Sequence, residues 1–350
     1  MGAKIIACGG YIPENSVDNN ILSKYMDTSD EWIRERTGIQ KRHFAAPDEA
    51  TSDLAYRAAL NLFEENNIDP STIDYIIFAT MTPDCYFPGF APFFQRKLKM
   101  KNVPCLEIRG QCAGFLFGMQ IANCLLSSGN CKRVLLIGAE VHTCLFPYEP
   151  LKPILERSFE EISKEYYELN SKFRDRMVLF GDGAGCFVLE KDGDGKGIMD
   201  SLIYTDGEMA EKLIIKSGGS NKRPFFDPED YNNGSILPVL EGREVFKLAV
   251  TLMPKVVLEI LQRNGLTTKD IDLLIMHQAN LRINEVVQKR LELEDSKVYN
   301  NIQKYGNTTA ATIPLVFWEA KREGRIKEGD LLCFVALGSG LHWGAILYKA

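Results

Sequence analysis

The sequence contains no block of lysine and arginine and no long uninterrupted run of apolar residues. Its 350 residues include 41 Lys and Arg against 47 Asp and Glu, so the net charge is −6. Proteins that bind a phosphate backbone concentrate positive charge, and this composition argues against nucleic acid as a partner. No stretch reaches the roughly 18 consecutive apolar residues of a membrane span, and the first residues do not resemble a signal peptide. We therefore expect a cytoplasmic protein without a membrane-spanning segment.

Metal-ligand and disulfide patterns are also missing. The 9 cysteines form no Cys-x-x-Cys pair and show no Cys/His ligand spacing, and only 4 histidines are present. An odd number of cysteines, most of them in apolar runs, is typical of reduced thiols rather than of a disulfide framework. The sequence predicts no metal site.

The chain repeats part of its own sequence. The segment around Ile73 resembles the segment around Ile271, and the turn at Cys112 resembles the turn at Asn307, each with an offset of about 200 residues. In both copies short apolar strands alternate with helical patterns, which is typical of mainly parallel sheets covered on both faces. A chance resemblance between two ordinary βαβ units is the alternative.

Two packed copies of this unit predict an α/β fold, a five-layer α/β/α/β/α sandwich of two pseudo-symmetric halves. The first half would span residues 1–190 and the second residues 191–350. If a pseudo-twofold axis relates the halves, Cys112 and Asn307 begin equivalent helices that face one another across the interface.

Cys112 lies between a strand-like run and a helical run, in residues 109–115. Free backbone N–H groups and the helix macrodipole at such a position favour a thiolate over a thiol. A cysteine placed there can ionise well below its free pKa of about 8.5. Gly110 and Gly114 leave room for a substrate at the sulfur. We predict a nucleophile, and a buried structural cysteine is the alternative.

Three further residues stand where substrates are usually bound. His277 ends an apolar strand, and ligands collect at the carboxyl ends of strands in α/β folds. Asn307 stands at a turn into a helix, where it acts either as an N-cap or as a donor to a carbonyl oxygen. Gly340 would let a backbone N–H approach an oxyanion, or it serves a tight hairpin turn.

Taken in order, these motifs resemble the β-ketoacyl-acyl-carrier-protein synthase III family of the thiolase superfamily, over nearly the full chain. The resemblance is carried by residues 28–33 with 36–39, the Cys112 turn, and residues 180–185, 277–283, 305–308 and 338–344. It implies a thiolase-like fold and a decarboxylating Claisen condensation of an acyl thioester (acyl-CoA) with malonyl-acyl carrier protein. The product would be a 3-oxoacyl thioester that starts fatty-acid synthesis.

The resemblance also implies a role for each candidate residue. Cys112 would accept the acyl group, and His277 and Asn307 would bind the thioester carbonyl of the extender unit. The backbone N–H groups of Cys112 and Gly340 would form the oxyanion hole. The implied chemistry uses no metal or redox cofactor, since coenzyme A enters as the substrate thioester.

Coenzyme A contacts are implied at four positions and a dimer contact at one. Trp32 and Arg36 match positions that hold the adenine and phosphate end, and Asn280 and Arg282 match positions near the pantetheine arm. Packing for Trp32 and a pair with a neighbouring glutamate for Arg36 are the alternatives. Phe87 resembles a residue that crosses a homodimer interface to close the partner's acyl pocket, and core burial is its alternative.

Residues 143–178 depart from the family, in which a shorter link carries an arginine that helps to hold adenine. Apolar residues spaced by three and four predict one helical stripe here. We expect either a surface helix docked on the body or a cover over the thioester entrance that changes donor choice. Arg174 and Arg176 are candidates for the missing adenine contact. The stripe consists of Leu155, Phe159, Ile162, Tyr166, Leu169, Phe173 and Met177.

Other functions are compatible with this sequence. A secondary-metabolism or long-chain acyltransferase or condensing enzyme would keep the fold and Cys112. A catalytically silent subunit would use the same fold to bind a carrier protein or partner enzyme. A thiol hydrolase would use Cys, His and Asn, with the histidine as the base that deprotonates the cysteine.

Overall fold

A computed structural model of the protein describes residues 2–193 and 195–350. The strands are β1 (Ala3–Tyr11), β2 (Asn15–Asp18), β3 (Lys41–Phe44), β4 (Tyr75–Ala79), β5 (Cys105–Ile108), β6 (Arg133–Glu140), β7 (Gly183–Lys191), β8 (Gly197–Thr205), β9 (Leu213–Ile214), β10 (Val239–Leu240), β11 (Leu273–Met276), β12 (Leu331–Gly338) and β13 (His342–Lys349). The α-helices are α1 (Asn19–Leu22), α2 (Asp30–Thr37), α3 (Thr51–Glu65), α4 (Ala91–Lys97), α5 (Gly114–Ser128), α6 (Tyr148–Leu155), α7 (Lys164–Lys172), α8 (Arg174–Met177), α9 (Glu229–Asn233), α10 (Gly242–Arg263), α11 (Leu281–Arg290), α12 (Ile302–Tyr305) and α13 (Thr312–Arg322).

Two mixed sheets form the body of the protein. The first has the strand order β1-β7-β6-β4-β5 and the second the order β11-β12-β13-β8. Pairs β4–β5, β4–β6 and β11–β12 are parallel, whereas β1–β7, β6–β7, β12–β13 and β13–β8 are antiparallel. The expectation of mainly parallel sheets is therefore wrong. For example, only a short turn joins β12 to β13. Such a turn allows an antiparallel hairpin, whereas a parallel pair needs a long crossover connection.

Helices α5 and α13 lie between the two sheets. Phe115 and Met119 of α5 and Phe317 of α13 pack with Phe187 of the first sheet and Phe334 of the second. The ring centroid of Phe317 lies 4.8 Å from that of Phe187 and 6.0 Å from that of Phe334. Helices α3 and α4 cover the far face of the first sheet, and α10 and α11 cover the far face of the second. The predicted five-layer fold is confirmed.

The two central helices begin in the same region. Each follows a 3-10 turn, Gln111–Ala113 before α5 and Thr309–Ala311 before α13. The two turns contact one another. The start of α5, from the first half of the sequence, thereby lies beside the start of α13, from the second half.

The segment 143–178 forms α6, α7 and α8 rather than one continuous stripe. Arg157 and Phe159 have positive φ angles of 58° and 54°, which interrupts the helix between α6 and α7. Phe159 is exposed, so its assignment to the apolar stripe is wrong. Buried side chains of α6 and α8, among them Ile154 and Met177, pack against Leu22 and Ile33 of α1 and α2. The segment thus docks on the helices around Trp32.

Across the described ranges, no helix combines the length and the apolar character needed to cross a bilayer.

Candidate active site

A cavity of about 700 Å³ opens at the start of the two central helices. Cys112, His277, Asn307, Asn280 and Gly340 all line it. The rest of its wall is largely apolar, with Met81, Leu145, Leu213, Ile214, Phe226, Ile236, Leu240, Val245, Phe246, Ala249, Met253, Ile283 and Leu337 among the lining residues. Such a mixture of apolar wall and few converging polar groups is typical of small-molecule sites.

Cys112 stands in the 3-10 turn that opens α5. It is 8 % exposed. Burial, together with the nearby Glu140 carboxylate, raises the pKa of its thiol to about 12. The sequence-based expectation of a sulfur that is ionised at rest is therefore wrong. The helix start favours the thiolate, but removal of the charged sulfur from water costs more.

Gly338, the last residue of β12, brings the second half of the sequence against Cys112. A Cβ atom added there would lie 2.9 Å from both the Cβ and the backbone N of Cys112. This contact leaves room for hydrogen only. Gly340 follows in the turn to β13 and has a φ of 137°, which glycine adopts more readily than any other residue.

His277 follows β11 directly and is held at two atoms. Its backbone N–H donates to the carbonyl of Val335 at 3.0 Å, and its Nδ1 lies 2.7 Å from Oγ1 of Thr312. Nε2 is buried and has no hydrogen-bond partner in the part of the chain that the structure describes. Burial lowers the pKa of the imidazole to about 3, so the ring is neutral at physiological pH.

Both the backbone and the side chain of Asn307 are hydrogen-bonded. Its backbone N–H donates to Leu179 at 2.9 Å, and its carbonyl accepts from Gly181 at 3.2 Å. The side-chain Oδ1 accepts the backbone N–H of Thr309 at 2.9 Å. Within the described residues Nδ2 has no partner, and it is therefore available as a donor to a ligand.

The turn Thr309–Ala311 connects these polar residues. Thr312 donates its hydroxyl to the carbonyl of Thr309 at 2.8 Å. Oγ1 of Thr309 also contacts Nε2 of His142, which is buried and stacked on Phe180 with ring centroids 4.1 Å apart. Sequence analysis singled out neither His142 nor the two threonines. A run of small residues and threonines at a helix start was the available signal.

Glu140 holds the loop that supplies part of the cavity wall. Its buried carboxylate accepts hydrogen bonds from Thr80, from the backbone N–H of Met81 and from both the backbone and the hydroxyl of Thr82. Burial raises its pKa to about 7, although these donors oppose that shift. Sequence analysis missed this residue because it ends an otherwise ordinary apolar strand.

Trp32 lies outside the cavity lining, on α2. The guanidinium of Arg36 stands 4.5 Å from its ring centroid and that of Arg174 stands 4.9 Å away. Arg174 also pairs with Asp27 at 2.6 Å. The segment 143–178 thus brings Arg174, one of its two candidate arginines, to Trp32. Arg176 instead donates to the carbonyl of Pro238 at 2.6 Å.

The two residues predicted near the pantetheine arm differ in position. Asn280 lines the cavity, caps α11 through the backbone N–H of Arg282 and donates to the carbonyl of Arg36, both at 2.9 Å. It therefore ties α11 to α2. Arg282 is exposed and does not line the cavity, within the part of the chain that is described.

Phe87 is 88 % exposed and lies outside the cavity lining. The alternative of core burial is excluded for this chain. The neighbouring Tyr86 is also exposed, and its ring contacts Phe225 with centroids 5.0 Å apart.

The sequence matches two family patterns. "3-Oxoacyl-[acyl-carrier-protein (ACP)] synthase III" matches residues 106–149 and 159–207, and the C-terminal pattern of the same family matches residues 261–350. The break in the first match falls within the segment 143–178, at residues 150–158.

Full-length relatives and solved structures agree with these matches. The chain is 40% identical to a beta-ketoacyl-[acyl-carrier-protein] synthase III of Rickettsia bellii, with 100% of both chains covered. It is 41% identical to the enzyme of the same description from Caldanaerobacter subterraneus, covering 100% of this chain and 98% of that one. The 3-oxoacyl-[acyl-carrier-protein] synthase III of Aquifex aeolicus superposes with a TM-score of 0.84 at 38% identity, over 100% of both chains. The synthase III structure from Thermus thermophilus superposes with a TM-score of 0.85 at 35% identity, over 99% of this chain and 98% of that one.

Relatedness over the whole chain, together with the shared fold, shows that this protein belongs to the 3-oxoacyl-[acyl-carrier-protein] synthase III family.

Proposed function

We propose that the protein condenses an acyl-CoA with malonyl-acyl carrier protein, with loss of CO₂, and so starts fatty-acid synthesis. One observation carries this proposal. Cys112 from the first half of the sequence and His277 and Asn307 from the second line a single cavity, in a chain whose full-length relatives are synthases of this type.

In the first half-reaction Cys112 attacks the thioester carbonyl and keeps the acyl group, and coenzyme A leaves. The oxygen of the tetrahedral intermediate would be held by the backbone N–H groups of Cys112 and Gly340. One donor of this kind typically contributes about 2.7–4 kcal/mol to the transition state. The close approach of Gly338 to Cys112 supports this arrangement, since it brings the start of the glycine turn beside the backbone N of Cys112.

In the second half-reaction the malonyl thioester loses CO₂ and becomes an enolate. His277 and Asn307 contact its thioester carbonyl, with the Nδ2 of Asn307 as a donor. The enolate carbon attacks the acyl group on Cys112, a carbon–carbon bond forms and the sulfur is expelled. The 3-oxoacyl group remains on the carrier protein.

Trp32, Arg36 and Arg174 would bind the adenine and phosphate end of coenzyme A. An indole offers a stacking face and guanidinium groups pair with phosphate. Both guanidinium groups already contact the Trp32 ring, so adenine would replace one of them on the indole. Asn280 and Arg282 would flank the pantetheine arm where it enters the cavity.

We also propose a homodimer in which Phe87 reaches into the partner's acyl pocket. Strand β5 is an edge of the first sheet, and an edge strand offers unpaired backbone groups to a second copy. Phe87 is the most exposed of the large apolar side chains in the described residues. Light scattering of the wild type and of Phe87→Ala tests the proposal, and a monomeric wild type would contradict it.

Intact-protein mass spectrometry tests the reaction. The protein is mixed with acyl-CoA donors and then with malonyl-acyl carrier protein. We expect an acyl adduct on Cys112 that disappears only with the malonyl thioester, with release of a 3-oxoacyl product. Loss of the adduct to water would indicate a hydrolase, and no adduct from any donor would indicate a silent binding subunit.

A further inference from the structure

The side-chain amide of Gln111, the residue before Cys112, faces two backbone carbonyl groups. One terminal atom of this amide lies 3.3 Å from the carbonyl oxygen of Ser339 and 3.2 Å from that of Arg109. Carbonyl oxygens only accept hydrogen bonds, so the terminal atom that faces them must be the nitrogen. Gln111 therefore donates from Nε2 to its own turn and to the glycine turn 338–340, which comes from the second half of the sequence.

The hydrogen bond to Ser339 fixes the direction of one peptide group. The carbonyl oxygen of Ser339 and the N–H of Gly340 belong to the same planar unit, which is trans. In a trans peptide these two groups point in opposite directions. While Gln111 holds the oxygen, the N–H of Gly340 must therefore point away from that side chain. This N–H has no hydrogen-bond partner in the described part of the chain.

Neighbouring contacts hold the same pair of turns together. A Cβ atom added at Gly338 would lie 2.9 Å from the backbone N of Cys112. The hydroxyl of Ser339 donates to the carbonyl of Leu213, which lines the cavity. Gln111 itself has a φ of 44°, which is uncommon for a residue with a side chain and persists only where surrounding contacts maintain it. The two hydrogen bonds of its amide are such contacts.

We propose that Gln111 is a positioning residue, which orients the peptide group between Ser339 and Gly340 so that the Gly340 N–H is ready as an oxyanion donor. The inference rests on the proposed function and deepens its first half-reaction. Donation to the carbonyl oxygen also polarises the peptide group and so strengthens its N–H as a donor. A donor that is fixed before the substrate arrives needs no reorganisation during the reaction.

Gln111 also lines the cavity, where its amide could contact the substrate directly. These two roles have different kinetic signatures. Loss of a contact that the substrate makes equally before and during the reaction raises KM at unchanged kcat, whereas loss of a donor to the oxyanion lowers kcat. The positioning role therefore predicts an effect on the maximal rate of acylation.

Two variants remove the NH₂ donor. Gln111→Met keeps the unbranched shape of the side chain, and Gln111→Glu keeps its length but places oxygen against the two carbonyl groups. Gln120→Met is the matched control. Gln120 lies on α5 outside the cavity lining, within the described residues, and its Nε2 also donates to the second half of the sequence, to Oγ of Ser201 at 2.9 Å.

Acylation of Cys112 is followed by rapid quench and intact mass at several concentrations of acyl-CoA. Loss of one oxyanion donor typically costs about 10²–10³ in rate, and a donor that is only misoriented should cost about 10- to 100-fold. We expect this fall in the maximal rate of both Gln111 variants, with little change in the half-saturating concentration. Gln120→Met should remain near the wild-type rate.

Two further measurements separate positioning from a general loss of structure. CO₂ release from malonyl-acyl carrier protein without an acyl donor should be preserved in the Gln111 variants, because His277 and Asn307 would hold that carbonyl. Hydrogen exchange, measured by mass spectrometry on peptides that contain the glycine turn 338–340, should be faster in Gln111→Met and unchanged in Gln120→Met.

Acylation at the wild-type rate in both Gln111 variants overturns the inference, and so does a rise in the half-saturating concentration at unchanged maximal rate. Equal slowing of Gln120→Met, an equal loss of CO₂ release or unchanged exchange of the glycine turn also overturns it. If Gln111→Met does not fold, as judged by circular dichroism, Gln111→Glu decides. All these outcomes leave the proposed function intact, whereas a wild type that forms no adduct contradicts the proposed function instead.

Discussion

Thr309 donates its backbone N–H to the side-chain Oδ1 of Asn307 at 2.9 Å. This contact decides the orientation of the amide, because the oxygen is occupied and the NH₂ group is turned to the other side. An asparagine held in this way presents a donor to the cavity rather than an acceptor.

Replacement of Asn307 by aspartate should therefore separate the two half-reactions. The variant keeps the acceptor for Thr309 but puts an oxygen where Nδ2 stands. Loss of a donor to a developing oxyanion typically costs about 10²–10³ in rate, and we expect that loss in CO₂ release and product formation. Acylation of Cys112 by acyl-CoA, followed by mass spectrometry, should change little. An equal fall in both steps would show that Asn307 does not act on the extender alone.

Arg174→Ala should weaken binding of acyl-CoA without altering the chemical step. A cation–π contact is worth about 0.5–2 kcal/mol, which corresponds to a rise of about 2- to 30-fold in KM. Steady-state kinetics with acyl-CoA measures this, and kcat should be preserved. An acyl group carried on the carrier protein has no adenine and should be unaffected. Arg157→Ala, in the same segment, is the matched control, and an equal effect there would argue against a contact specific to Trp32.

Glu140→Gln should destabilise the protein by about 1–3 kcal/mol, since each buried donor that loses its acceptor carries such a penalty. Among the described residues, the hydrogen bonds to this carboxylate come from donors of residues 80–82. A glutamine NH₂ group cannot accept from them. The free energy of unfolding in urea measures the loss, with the exposed Glu294→Gln as the control. Equal stability of the two variants would contradict the role given to Glu140.

His142 should make the protein sensitive to acid. Burial lowers its pKa from 6.5 to about 3, so the unfolded chain binds a proton that the folded chain does not. Stability contributed by the neutral ring is present above about pH 6.5 and is lost as the pH falls toward 3. His277 behaves in the same way. His142→Leu should flatten the dependence of unfolding free energy on pH by about 1.4 kcal/mol per pH unit between these limits. An unchanged slope from urea unfolding at several pH values would exclude this contribution.

The layer order of the fold could be read from the internal repeat, because apolar strands and helices at matching offsets leave few ways to bury both faces of each sheet. The same repeat predicted equivalent helix starts at Cys112 and Asn307, and the structure has 3-10 turns ahead of α5 and α13 there. The break between α6 and α7 was not predictable from spacing, since apolar periodicity continues through Phe159 although that side chain is exposed.

The contacts that position side chains in and around the candidate site join residues that are far apart in the sequence. Thr312 meets His277 from a distance of 35 residues along the chain. Arg174 reaches Trp32 only because the segment 143–178 folds back on α2. The ionisation state of Cys112 was wrongly predicted for a related reason, because a local motif reports the helix start but not the depth of burial.

The close approach of Gly338 to Cys112 brings the two halves of the sequence together beside the proposed nucleophile. Any side chain at residue 338 would clash with Cys112 and push it away from the glycine turn. No side chain larger than hydrogen therefore fits at this position unless Cys112 moves. Variation in the acyl chains that are accepted must arise farther along the cavity, where the walls are built from replaceable apolar side chains.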